Sequence, residues 1–212
     1  MARILVLFSS LFGANAQLAG LASEALSAAG AEVRMRRVAE VALPGDVQTA
    51  AEGAAVADTA DLEWADGFVF SSPAHTGLLS ASMKAFIDQH HDAAVAGRFL
   101  DTTFTAMATS GFAHAGQERV VDDLNAAAAA WGCVIVPPST ANPVINKLNG
   151  NPYGLSFVLE HGKLADAALA EEAISAHLAR FAAVTAAIAA GRAPSPASSI
   201  RKPPPTAAEV FS

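Results

Sequence analysis

Two kinds of apolar pattern alternate along the chain. Ile4 to Phe8 is a short continuous apolar run, as expected for a strand buried on both faces. Leu18, Leu21, Ala22, Ala25 and Leu26 then recur at helical spacing, and Gly30 supplies a C-terminal stop. In EVRMRRV, Val33 and Met35 share a face, which reads as a second strand. Strand, helix and strand in that order make a βαβ unit, whose crossover forces parallel pairing. The pattern repeats. GFVFSS (67–72) reads as a third strand, and LLSASMKAFIDQH (78–90) as a helix with Leu79, Met83, Phe86 and Ile87 on one face. TTFTAMATS (102–110) reads as a fourth strand and Gln117 to Trp131 as a helix. CVIVPP (133–138) reads as a fifth strand closed by Pro137, and Ala168 to Ala190 as a long final helix.

Five strands alternating with helices predict an α/β fold, a doubly wound open sheet with helices on both faces. This decides how the opening MARILVLFSSLFGANAQ is read. An Arg, an apolar run and Ala14-Asn15-Ala16 imitate a secretory signal with its cleavage site. Cleavage would remove the first strand, which usually lies centrally in such sheets, so the segment reads as strand, loop and helix start. Two stretches break the alternation. Pro44 to Asp61, rich in Ala and acidic residues, reads as a surface excursion at the sheet's edge. Asn142 to Gly162, containing NGNPYG, reads as a long loop, and loops of that length are usually functional or interfacial. The organisation expected is a domain over residues 1–190 and a Pro-rich tail over 191–212.

Composition narrows the function. With 52% hydrophobic and 16% charged residues the chain has a well-filled core, and a net charge of −7 leaves no basic footprint for nucleic acid. No apolar run approaches the ~20 residues of a membrane span. The single cysteine, Cys133, excludes an internal disulfide, reads as core filler beside Val134-Ile135-Val136, and suits a reducing cytoplasm. His90 and His91 are adjacent and point about 100° apart on a helix, so no metal site is expected. G-x-S-x-G is absent, so no Ser-His-Asp hydrolase is supported, and His177 reads as structural or solvent-facing.

In an open parallel sheet, ligands bind at the carboxyl ends of the strands. SSLFGANAQ follows the first strand and runs into a helix N-terminus, where free N–H groups and the helix dipole favour a phosphate. Ser9, Ser10, Asn15 and Gln17 offer side-chain donors, and Gly13 permits close approach; an ordinary strand-to-helix turn has the same letters. SSPAHTGLL follows the third strand and TSGFAHAGQ the fourth, each with one His and small residues. His75 and His114 are therefore the candidate catalytic residues, and Phe12 and Phe112 could line a slot for a planar ring.

Several stretches together resemble the WrbA-type flavodoxin-like NAD(P)H:quinone oxidoreductases, from Ala2 to about Ile188. They are ILVLFSSLFG, AEVRMRRVAE, ADLEWADGFVFSSP, SMKAFIDQ, GQE, WGCVIVPP and, most specifically, GNPYG. The resemblance implies a flavodoxin-like five-stranded parallel sheet of order 2-1-3-4-5 holding FMN. It implies a phosphate site at Ser10, Leu11, Phe12, Gly13, Ala14 and Asn15. The ring is then expected against Pro73, Ala74, His75, Thr76, Gly77 and Leu78 on one side. Ser110, Gly111, Phe112, Ala113, His114, Gly116 and Gln117 are expected on the other. It further implies a homotetramer that transfers two electrons from NAD(P)H to a quinone. The departures are specific. The family's Thr-Arg-Phe-Gly is Ala74-His75-Thr76-Gly77, its GGLW is His91-Asp92-Ala93-Ala94, and a family His is Ala130. Two other readings stay open: an FMN-binding electron-transfer or assembly module without efficient NAD(P)H oxidation, and a structural homologue without flavin.

Overall fold

The computed structural model describes residues 1–41 and 53–192. Half of the Pro44–Asp61 excursion and nearly all of the Pro-rich tail therefore lie outside the described residues. The elements run β1 (Arg3–Phe8), α1 (Ala14–Ala28), β2 (Glu32–Arg37), α2 (Thr59–Trp64), β3 (Gly67–His75), β4 (Leu78–Leu79) and α3 (Ala81–Gln89). They continue with α4 (His91–Val95), β5 (Thr103–Ser110), α5 (Gln117–Ala130), β6 (Val134–Ile135), α6 (Pro143–Leu148), β7 (Leu155–Glu160), β8 (Lys163–Leu164) and α7 (Ala167–Gly191).

The strands pair in the order β2-β1-β3-β5-β7, all parallel, as the doubly wound reading requires. The fifth position is split between two segments. Val134 and Ile135 of β6 pair with Thr103 and Phe104 at the start of β5, and Leu155 to Val158 of β7 pair with Met107 to Ser110 at its end. CVIVPP was thus expected to be a full strand and forms only a two-residue one. Pro137 and Pro138 bring no N–H to the ladder and end it. The expected loop Asn142–Gly162 instead holds α6, β7 and the turn into β8. Leu78 and Leu79, expected to open a helix, form a short hairpin strand against Ala74 and His75. The described end of the excursion does follow the sheet edge, with Val56 bridged to Arg37.

Alternation along β1 builds two cores. Ile4, Val6 and Phe8 point to a layer made with Leu18, Leu26, Leu178 and Phe181 of α1 and α7. Leu5 and Leu7 point the other way, to Phe68, Phe70, Met83, Phe86, Phe104, Leu124 and Trp131. Burying side chains of this size stabilises by about 1.5–3 kcal/mol each. Trp131 meets Phe68 and Phe70 edge-on, so that layer is an aromatic cluster with defined geometry.

Contrary to the expectation that no apolar run approaches a membrane span, helix α7, at 25 residues, is long and apolar enough to cross one by length and composition. Its Ala170, Ala173, Ile174, Leu178, Phe181 and Ala182 are buried in the core, and a core helix passes the same test. A polar seam also fixes it to β5. His177 Nε2 lies 2.7 Å from Thr105 Oγ1, and Thr185 Oγ1 lies 2.6 Å from Thr103 Oγ1. His177 is therefore structural. Burial, and secondarily the Arg180 charge, push its pKa down to about 4, so the ring is neutral.

Candidate functional site

Parallel pairing delivers the carboxyl ends of β1, β3 and β5 to one edge, and hydrogen bonds knit their three loops together. Ser80, which caps α3 by accepting from Met83 N–H, donates through Oγ to Ser9 Oγ at 2.9 Å. Ser72 Oγ donates to Ser80 Oγ at 3.2 Å. Asn15, 2% exposed, donates to Thr109 Oγ1 at 2.8 Å and accepts from Ser71 Oγ at 2.7 Å. One side chain thus ties the first turn of α1 to both β3 and β5. Ser9 and Asn15, expected as phosphate donors, also bond within the protein: Ser9 Oγ accepts from Ser80, and Asn15 engages Thr109 and Ser71. Ser10 is buried too, and its Oγ accepts from Gly13 N–H, closing the first loop on itself.

What the first loop leaves free is backbone. Gly13 stands at φ 92° as the N-cap of α1, and no side chain accepts from the helix's first N–H groups. Helix α5 begins the same way, at Gly116 with φ 96°. The first N–H groups of a helix have no partner within it, and the dipole makes that end positive. Beside them Leu11 is half-buried, Ala14 is buried, and Gln17 faces solvent.

The second loop is the β3–β4 hairpin. Thr76 and Gly77 occupy φ 53° and φ 77°, the two positive values of a type I′ turn. A β-branched residue there is strained, and such strain persists only where the surroundings hold it. Pro73 and Ala74 are half-buried, while His75 and Leu78 project outward. In the third loop Gln117, 4% exposed, accepts from Ser110 Oγ and Ala115 N–H and donates to the carbonyls of Phe112 and Ala113. Ser110 and Gln117 therefore shape the loop from inside, leaving Gly111, Phe112, Ala113 and His114 at its surface. Phe12 and Phe112 are 72% and 78% exposed, a large apolar area to leave in water. A cleft of about 700 Å³ runs from Gly111–Ala113 to the β7–β8 turn at Glu160–Gly162.

The structure separates the departures from the family pattern. His75 lies exposed on the β3–β4 hairpin, at the carboxyl end of β3. Ala94 and Ala130 are not at that end: the neighbouring segments pair at the start of β5, through Val134 N–H to the Thr102 carbonyl, at the other edge of the sheet. Within one chain they cannot wall the same pocket as His75. GNPYG is a structural joint. Asn151 is buried, accepts from Tyr153 N–H and donates to Ser156 Oγ, and a Cβ on Gly154 would lie 2.7 Å from the Ala106 carbonyl oxygen. It threads the chain back into the sheet at β7. Ser71, Ser72, Ser80 and Thr109 were missed as site-building residues, and SSP after a strand was the only signal for them. Cys133 has no part in this edge; burial pushes its thiol up to about 12, which withholds the thiolate.

Residues 2–144 match the family described as NADPH-dependent FMN reductase. The chain belongs to that family. Within this FMN reductase family the matched region carries all three site loops. A relative from Deinococcus radiodurans, named NAD(P)H dehydrogenase (quinone), is 38% identical over 164 residues, spanning 73% of this chain and 82% of its own. One of the same name from a Chelativorans species is 31% identical over 167 residues, spanning 74% and 82%. Among solved structures, a flavodoxin, WrbA-like protein from Agrobacterium tumefaciens superposes with TM-score 0.64 at 18% identity, covering 88% of this chain and 99% of that one. A flavodoxin from the Archaea does so at 0.58 and 11%, covering 87% and 99%. These two likenesses establish the fold, which is flavodoxin-like.

Proposed function

We propose that this FMN reductase family member is an enzyme that holds FMN and moves two electrons from NAD(P)H to quinones or similar acceptors. The observation that carries the reading is the uncapped start of α1, set in a crevice that three hydrogen-bonded loops enclose. Its donor set is chemically suited to a terminal phosphate. The N–H groups of the first turn are free, the dipole is positive there, and a Cβ on Gly13 would meet nothing within 4 Å, so the space above the loop is open. Bound there, FMN would supply the two-electron chemistry between the nicotinamide and the acceptor.

The chain's own residues supply position. Leu11, Phe12 and Ala14 present the backbone donors, and Ser10 holds that loop through Gly13 N–H. Asn15 fixes the first turn of α1 over β3 and β5. Pro73 to Leu78 and Gly111 to His114 are the segments proposed to flank the ring, with Phe12 and Phe112 as its apolar neighbours. His75 replaces the family's guanidinium and is the side chain proposed to meet the acceptor or the nicotinamide. A monophosphate ends the site at the first loop, which favours FMN over FAD. We further propose a homotetramer in the cytoplasm. The exposed Phe12, Phe112 and Tyr153 support association, and the lone cysteine supports a reducing compartment. Mass spectrometry of the heat-released cofactor tests the reading: FMN is expected, and FAD or no flavin contradicts it. Steady-state assays should then show NAD(P)H-dependent reduction of a naphthoquinone.

A further inference from the structure

Two glycines meet backbone to backbone where the second and third loops touch. Gly77 is the second residue of the β3–β4 turn, and Gly116 starts α5. A Cβ on Gly116 would lie 2.5 Å from Gly77 Cα, 2.6 Å from its carbonyl oxygen and 2.8 Å from its carbonyl carbon. All three are backbone atoms and cannot rotate aside, so any side chain at 116 must drive the loops apart. The reverse position has room. A Cβ on Gly77 would find only the Ala115 carbonyl oxygen, at 4.0 Å. Both residues need glycine for their positive φ; only Gly116 also needs it for close approach.

Neither loop can absorb a shift locally. The hairpin is pinned by its Ala74–Leu79 and His75–Leu78 pairs and by Ser80 just beyond. The third loop is held from within by the four hydrogen bonds of the Gln117 side chain. Displacement at Gly116 therefore passes outward to Leu78, His75 and Phe112, the exposed side chains of the two loops. The phosphate end is held by bonds that include neither turn: Gly13 N–H to Ser10 within the first loop, and Asn15 to Ser71 and Thr109 in the strands behind.

We infer that Gly116 is a positioning residue: its contact with Gly77 sets the spacing of the two loops that receive the flavin's planar ring, independently of the phosphate end. The inference rests on the FMN reading above. It follows that ring affinity and phosphate affinity can be separated by single substitutions.

The test uses the full chain freed of flavin, titrated with FMN, with lumichrome (the ring without its ribityl phosphate) and with inorganic phosphate. Gly116→Ala is expected to weaken FMN and lumichrome about 100-fold, the scale of a ~1 Å misplacement, and to alter the visible bands of bound flavin. Its phosphate affinity should stay within about threefold of the unmodified chain. Gly116→Asn carries the same Cβ but tolerates a positive φ, so it should lose lumichrome as Gly116→Ala does. Gly116→Ala that binds lumichrome as the unmodified chain does overturns the inference. So does Gly116→Asn that restores ring affinity, because φ and not contact would then be the cause. Gly116→Asn, the less strained of the two, decides by itself should Gly116→Ala fail to fold. An unmodified chain that binds phosphate but no flavin contradicts the proposed function, and the inference with it.

Discussion

Helices α1 and α5 begin differently from α3 and α7, although all four pack on one sheet. The first pair starts at left-handed glycines with no side chain on the leading N–H groups. The second pair starts at Ser80 and Asp166, whose oxygens accept from Met83 N–H and Leu169 N–H. A side-chain cap typically adds about 1 kcal/mol, so the chain forgoes stability at two helices and takes it at two others. The forgone caps are those on the first and third loops, whose residues enclose one crevice. Helix α4 also starts without a side-chain cap, at His90, but it follows directly on the end of α3 and is five residues long. At α1 and α5 the free donors are available to an anion.

Substitution at Gly13 should break this comparison most strongly. Gly13→Val puts a side chain over the free N–H groups and at φ 92°, and losing two charge-assisted hydrogen bonds costs about 3 kcal/mol or more. The expected result is FMN binding weakened by at least ~100-fold in a fluorescence titration, with a smaller loss of melting temperature in the flavin-free form. Equal destabilisation of both forms, with affinity kept, would mean that the loop is only a turn.

The α7 face should make stability depend on pH. Unfolded, His177 titrates near 6.5; folded, near 4, because burial disfavours its charge. Between those values the unfolded chain binds more protons. Its contribution is therefore fully present above about pH 6.5 and is lost as pH falls toward 4, by roughly 3 kcal/mol in all. Denaturant unfolding at pH 7 and 4.5 should show a smaller drop in His177→Gln than in the unmodified chain. An identical drop would show that other groups carry the acid sensitivity.

Smaller effects sharpen the contrast. Ser80→Ala removes the α3 cap and leaves Ser9 and Ser72 without their shared partner, so about 2 kcal/mol of stability should go. FMN affinity should fall with it, because Ser80 ties the first loop to the second. Asp166→Ala should cost about 1 kcal/mol and leave FMN affinity untouched. A thermal melt and one titration on each variant check both, and Asp166→Ala that loses flavin would end the distinction between the two kinds of helix start.

The same distinction explains what could be read from the residues alone. Long periodic segments were legible: β1, β2, β3, β5 and the helices α1, α5 and α7 lie within a few residues of their expected places, because burial enforces a period. The split fifth strand was not. LSFVLE had strand character, but it lay in a Gly-, Asn- and Pro-rich stretch whose local signals outweighed it. The site was half legible. Letters identify Ser9 and Asn15 as hydrogen-bonding residues, but not that Ser80, Ser71 and Thr109 occupy them. That depends on strand register, which pairs Ser71 with Phe8 and Thr109 with Pro73, across distances in sequence that no local pattern spans.

The free donors at α1 and the three loops around them are proposed to hold a redox-active FMN. An absorbance spectrum of the purified protein, recorded anaerobically before and after NADPH, tests it in one cuvette. Flavin bands that bleach on mixing and return when a quinone is added are the predicted result. A colourless protein that takes up no added FMN, or a yellow one whose bands stay unchanged with NADPH and with NADH, would contradict it.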